Sequence, residues 1–194
     1  MVEQKAWKVN GFLSIVLGLI LLGLDIYCFS TKEIVAGIIL LVPIIVLSSG
    51  FVIVQPNKAK AVTFFGRYIG SIRESGVWLT VPFTVHKKVS LRVRNFNSKM
   101  LKVNDVAGNP IEIAAVVVFR VIDSAKALFD VDDYEKFVEI QSETALRQVA
   151  TKYPYDNFDT AGYSLRGNAE EVAAELAREL QSRLAVAGVE VIEA

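Results

Sequence analysis

One cysteine and one histidine in 194 residues remove several kinds of chemistry at the outset. A lone Cys28 cannot close a disulfide within the chain or build a cysteine cluster around a metal. With His86 as the single imidazole, acid–base or metal chemistry would have to rest on clustered carboxylates. The 21 Lys and Arg balance the 21 Asp and Glu, so the chain lacks the basic excess of a nucleic-acid binder. Gly66, Gly70 and Gly76 match the spacing of neither a dinucleotide fingerprint nor a phosphate loop. The Asp130–Asp133 run, "DVDD", lacks the glycine and closing glutamate of a calcium loop, and helix capping explains it better. Ser98 and Lys99 are neighbours on a strand and point to opposite faces, which rules out a dyad. With no nucleophile–base constellation, the reading is not an enzyme, with no catalytic, metal or cofactor residues.

Apolar sequence is what the chain has in excess, at 53% of residues. Residues 12–29 carry one charge, Asp25, and residues 34–54 carry none. As helices these runs reach about 27 and 31 Å, close to the ~30 Å core of a bilayer. They predict a membrane hairpin over residues 1–54, its arms joined by Ser30–Glu33. Gly50–Val54 are equally suited to begin a strand. Pro43 predicts a kink, which also permits a re-entrant hairpin, so spanning and re-entrant arrangements both stay open. A cleaved signal peptide fits less well, because no small-residue cleavage site follows the first run. Lys5, Lys8, Lys58, Lys60 and Arg67 flank the outer ends of the arms, against Lys32 alone in the connection. This places both termini in the cytoplasm, with the soluble domain on the cytoplasmic face of the plasma membrane. Trp7, Tyr27 and Phe29 suit the membrane interface, Asp25 is read as a tolerated boundary charge, and Cys28 as a small apolar filler.

The remaining residues, 55–194, form one domain divided by charge. From Gln55 to Asp105 there are ten basic and two acidic residues; from Val106 to Ala194 there are eight and sixteen. The basic part leaves the membrane first and faces an anionic leaflet, where each nearby cation is worth about 1 kcal/mol. Lys58, Lys60, Lys87, Lys88, Arg92 and Arg94 are the expected anionic-lipid contacts. Salt bridges to the acidic half are compatible with that role.

Periodicity supplies the elements. "FVIV", "KAVTFFG", "YIGSI" and "VWLTV" read as a strand meander punctuated by glycine. "HKKVSLRVRNF" alternates as one strand, with Lys88, Ser90, Arg92 and Arg94 on its basic face. "KMLKVNDVAGNPIEIAAVVVFRVI" reads as two strands, the second central because its middle is apolar on both faces. Helices follow. Asp132 with Glu135, and Asn168 with Glu171, have capping-box spacing. The last helix aligns Val172, Leu176, Leu180 and Leu184, pairs Glu179 with Arg183 on its exposed side, and meets Gly188 as a C-cap before the strand "VEVIE".

In this order "VQPNKAKAVTFFGRYIGSIRESG", the "DVAGNPIEI" hairpin and "LRGNAEEV…AGVEV" resemble the SPFH or Band 7 family of stomatins, prohibitins, flotillins and HflK/C, over roughly Phe51 to Ala194. The resemblance implies an α+β fold, a mostly antiparallel sheet packed by helices. It implies a non-enzymatic scaffold that forms homo-oligomers on one membrane face, delimits lipid microdomains and holds partner membrane proteins such as proteases. Family members usually continue into a long coiled coil, so the chain is expected to be truncated before one and to associate only weakly by itself. The alternatives are a lipid-binding adaptor that does not assemble and, further off, a membrane-anchored enzyme.

Overall fold

The computed structural model describes residues 2–156 and 163–194. The chain divides into two compact units, Glu3–Ser90 and Leu91–Ala194.

The first unit begins with a two-residue strand that the sequence does not announce, β1 (Val9–Asn10). Helices α1 (Gly11–Ser30) and α2 (Ile34–Ser48) follow, then strands β2 (Phe51–Val54), β3 (Lys58–Phe64), β4 (Arg67–Ile72), β5 (Gly76–Leu79) and β6 (Thr84–Ser90). The second apolar run is therefore not helical throughout. It is a fifteen-residue helix with Pro43 inside, followed by a strand, and the strand alternative for its last residues is the one adopted. Asn10 caps α1 by accepting from the Phe12 amide.

The strands do not form one meander. They make two three-stranded sheets, β1-β5-β2 and β4-β3-β6, with every strand pair antiparallel. The parallel contact, Lys5 with Ser71, lies beside β4. Buried Ala6, Val52, Val54, Val62 and Ile72, with Ile69 and Trp78 packed on them, make the core of this unit. Gly70 has φ +147°, and a Cβ there would come 2.5 Å from the Ala6 amide, so glycine lets the N-terminal segment lie against β4.

The second unit contains β7 (Arg94–Asn97), β8 (Leu101–Asn104), β9 (Pro110–Ile113), β10 (Val116–Val121), α3 (Ser124–Phe129), α4 (Tyr134–Ala150), α5 (Ala169–Leu184), a 3-10 turn (Ala185–Ala187) and β11 (Val189–Glu193). Strand β10 is the centre of the sheet β11-β10-β7, as its two-sided apolar middle predicts, and Val117, Phe119 and Val121 are buried. Leu176, Leu180 and Leu184 of α5 are buried, and Val172 at the head of that stripe is half-buried.

Two long alternating stretches are each cut in two. The stretch "HKKVSLRVRNF" ends as β6 at Ser90 and resumes as β7 at Arg94, in the other unit. The stretch from Pro110 to Val121 breaks at Ala114–Ala115, so β9 pairs with β8 while β10 joins the larger sheet. Helix capping also departs from expectation. Asp133, not Asp132, caps α4, accepting from the Glu135 and Lys136 amides. Asn168 makes no side-chain cap to α5; its Oδ1 accepts from the Ser164 amide instead. Arg183 pairs with Glu179 at 2.8 Å as predicted, but it is not on an exposed side. It also reaches Gln148 and Gln141 of α4, tying the two helices together.

Asp105 closes the β8–β9 turn. Its carboxylate is buried and accepts from the Asn109 amide (2.8 Å), the Asn109 side chain (3.1 Å) and the Tyr155 amide (3.0 Å). These donors, Tyr155 foremost, hold its pKa below the ordinary carboxylate value. A depressed pKa adds stability that is complete above the unfolded value, about 3.9, and fades as pH falls through the lower folded one. Asp105→Ala is therefore expected to melt at lower temperature than wild type at pH 7, with the gap closing in strong acid. A gap that is the same at pH 7 and in strong acid would show that the carboxylate charge contributes nothing.

Candidate membrane-facing surface

Helix α1 has 20 residues with a mean hydropathy of 2.3 over its most apolar window, and is long and apolar enough to cross a membrane. Its sequence writes a seam. Gly11, Ser14, Gly18, Leu21, Asp25 and Cys28 are its buried or half-buried residues, spaced alternately three and four apart. On α2 the matching residues are Gly37, Leu40, Ile44 and Leu47. Small residues let the helix backbones come close, as in lipid-embedded helix pairs. At Gly37 a Cβ would lie 2.8 Å from the Phe29 ring. Leucines, isoleucines and valines cover the other faces and are bare, among them Leu13 and Val35 at 69% and 73% exposure.

Asp25 belongs to this seam and is not a boundary charge reaching outward. It is buried, and its Oδ1 has no hydrogen-bond partner among the described residues. Cys28 is half-buried beside it on the seam, as a small filler would be.

Both helices are tied to one strand. β1 runs into α1 and β2 runs out of α2, and the two strands flank β5 on opposite sides. Gly11 lies so close to Val77 that a Cβ would meet its carbonyl oxygen at 2.5 Å. Beyond α2, the Gly50 carbonyl accepts from both the amide and hydroxyl of Thr80, at 2.9 and 3.1 Å.

Aromatic side chains gather at this end of the unit. The Phe83 amide donates to Ser49 Oγ, just past the end of α2. Phe64 lies opposite Thr84 in the β3–β6 register, and its ring meets that of Phe65 edge-on at 4.7 Å. Phe65 (φ 45°) and Phe83 (φ 60°) are left-handed, which costs a non-glycine residue roughly 1–2 kcal/mol. Both are exposed, Phe65 at 84%. Periodicity does not reveal this pair, although "FFG" and "VPF" at adjoining turns are visible afterwards. Of the interfacial aromatics expected from sequence, Trp7, Tyr27 and Phe29 are all exposed.

The six basic residues expected at the lipid surface are separated. Lys58, Lys60 and Lys88 line one groove with Ile53 and Gln55. Lys87 faces the other side of β6, opposite Ala61. Arg92 lies in the connection after β6, and Arg94 is on β7, ion-paired with Glu135. Ser98, considered above as half of a dyad, accepts from the Ala115 amide at 2.9 Å.

Two antiparallel three-stranded sheets built around an apolar helix long enough to cross a membrane, followed by a second unit of strands and helices, define an α+β class of protein. The chain belongs to the SPFH domain / Band 7 family, which it matches over residues 52–194. It is 32% identical over 122 residues to a stomatin homolog of Pyrococcus horikoshii, covering 62% of this chain and 46% of the relative. A stomatin homolog of Pyrococcus abyssi is 32% identical over 120 residues, covering 61% and 44%. An uncharacterized protein of Methanocaldococcus jannaschii is 28% identical over 110 residues, covering 56% and 55%. The chain spans about half the length of the curated relatives it matches.

Proposed function

We propose that this protein is a membrane-anchored, non-enzymatic scaffold, with α1 and α2 held in the plasma membrane as a helical hairpin and the domain that follows, from Phe51 onward, working on its cytoplasmic face. The bare apolar surface of α1 and α2 carries this reading, because lipid is the surrounding that suits it. The exposed phenylalanines beside the end of α2 support it, since they extend the same apolar surface. Lys58, Lys60, Lys87 and Lys88 of the first unit, and Arg92 and Arg94 of the second, attract anionic headgroups, the Arg94 charge being partly offset by Glu135. On that face the protein assembles with copies of itself, the basic part of one near the acidic part of the next, and so organises lipid and holds partner membrane proteins such as proteases. Mass measurement in detergent checks the assembly step.

Topology is the direct test. With Cys28 replaced, single cysteines at Thr31 and Asn57 should label from opposite sides of sealed vesicles. A specific observation favours a second arrangement. α2 has 15 residues, about 22 Å at 1.5 Å each, short of the ~30 Å core, and it contains Pro43. Labelling of both cysteines from the cytoplasmic side would establish that re-entrant form. Labelling of both in protein washed from the membrane would end the anchoring proposal.

A further inference from the structure

The groove lined by Ile53, Gln55, Lys58, Lys60 and Lys88 is built unlike an ordinary solvated face. Lys60 and Lys88 are direct cross-strand partners, an arrangement in which like charges repel. On its other side Lys60 faces Ile72, so neither strand neighbour supplies an acid. Among the described residues, no carboxylate lines the groove. Lys58 donates to Gln55 Oε1 at 2.6 Å, which fixes that amide with its NH2 group as a further donor. Three lysines and a glutamine therefore line a groove of about 370 Å³, within the roughly 300–1,000 Å³ of small-molecule sites. His86 lies on the same face two residues along, opposite Val62. Partial burial, and then the Lys60 charge, hold its pKa below the ordinary value, so His86 senses the charge of Lys60.

We propose that this groove is a discrete site for a compact, multiply charged phosphate group, a phosphate monoester or pyrophosphate, carried by a lipid headgroup or by a soluble molecule. Lysine is a point-charge phosphate ligand, and several of them around one dianion relieve their mutual repulsion. The inference deepens the anionic-contact reading above, but it concerns one site rather than a diffuse basic surface.

As the single histidine, His86 is an unambiguous reporter. The full chain in nanodiscs of neutral lipid is titrated with pyrophosphate, and a parallel sample uses nanodiscs containing phosphatidic acid. Binding should move the His86 ring resonances and raise its titration midpoint. Lys60→Gln and Lys88→Gln should each weaken binding about fivefold, the loss of one lysine–phosphate contact of about 1 kcal/mol. Lys87→Gln, on the opposite face, should change it by less than about twofold, as expected for a screened, distant charge. A response to pyrophosphate assigns the site to soluble phosphates. A response only to phosphatidic acid assigns it to lipid. Either supports the site, and pyrophosphate binding would support it even if the cysteine labelling ended the anchoring proposal. The proposal is overturned if neither probe moves His86, if the shift persists in the Lys60→Gln/Lys88→Gln double variant, or if Lys87→Gln weakens binding as much as Lys60→Gln.

Discussion

Gly188→Ala is expected to destabilise the unit Leu91–Ala194 by about 2–4 kcal/mol, the sum of a left-handed backbone penalty and an overpacking term. Gly188 sits at φ 64°, and an added Cβ would lie 2.6 Å from the Asp123 carbonyl oxygen and 2.8 Å from its Cβ. Neither neighbour is free to give way. Asp123 caps α3 by accepting from the Ala125 and Lys126 amides, and its own amide donates to the Gly188 carbonyl at 3.0 Å. The Ile122 amide donates to the same carbonyl at 2.8 Å, so one residue joins the end of β10, the start of α3 and the start of β11. Thermal melts followed by circular dichroism should show a loss of roughly 9–18 °C for a unit of this size. Gly108→Ala is the control. Gly108 is also left-handed, at φ 86°, but a Cβ there meets nothing within 4 Å, so only the backbone term of about 1 kcal/mol applies. Equal losses in the two variants would show that the Asp123 contact is not what makes Gly188 special.

Gly188 was legible in the sequence because it follows an apolar helical stripe and precedes an alternating strand, a local pattern. Most strands were legible in the same way. The two breaks were not. Across Ala114–Ala115 the inside–outside alternation continues in register. Across Leu91–Val93 the apolar alternation of the sequence runs on to Val93, while burial shifts by one residue, so that Val93 is exposed and Arg94 and Phe96 are half-buried. Alternation records which face a residue takes but not which sheet its strand joins, and that depends on partners far along the chain. The lysine groove was hidden for this reason, since Lys60 and Lys88 meet only through the β3–β6 register. Conversely, Lys88, Arg92 and Arg94 look like one basic face only while β6 and β7 are taken for a single strand. The capping error was local. Asp132 has glutamate three residues on, but the chain turns helical one residue later, so the Asp133 carboxylate reaches the free amides. The seam of α1 lay open in the spacing of Gly11, Ser14, Gly18 and Asp25, but the apolar residues around it mask the pattern when the run is read for hydropathy alone.

Replacing Gly11–Ser49 with a six-residue Gly/Ser linker is expected to move the protein entirely from the membrane fraction to the soluble fraction. The change is feasible because of what holds the helix pair. β1 and β2 flank β5, so they lie about 10 Å apart, twice the spacing of neighbouring strands. A flexible six-residue chain spans about 13 Å on average, enough to rejoin them. The sheet β1-β5-β2 and the core around Val52, Val54, Val62 and Ile72 lie outside the removed segment. What is lost is the bare apolar surface of α1 and α2, and insertion of such a helix is effectively irreversible compared with surface attraction. Fractionation of membranes in low and in high salt reads the outcome. Residual binding that salt removes would come from the lysines, which are screened over about 10 Å at 0.1 M. Residual binding that resists salt, and disappears when Phe65 and Phe83 are changed to Ser, would assign the hold to the aromatic turns. A shortened protein that stays with the membrane through both treatments would show that α1 and α2 are not the anchor.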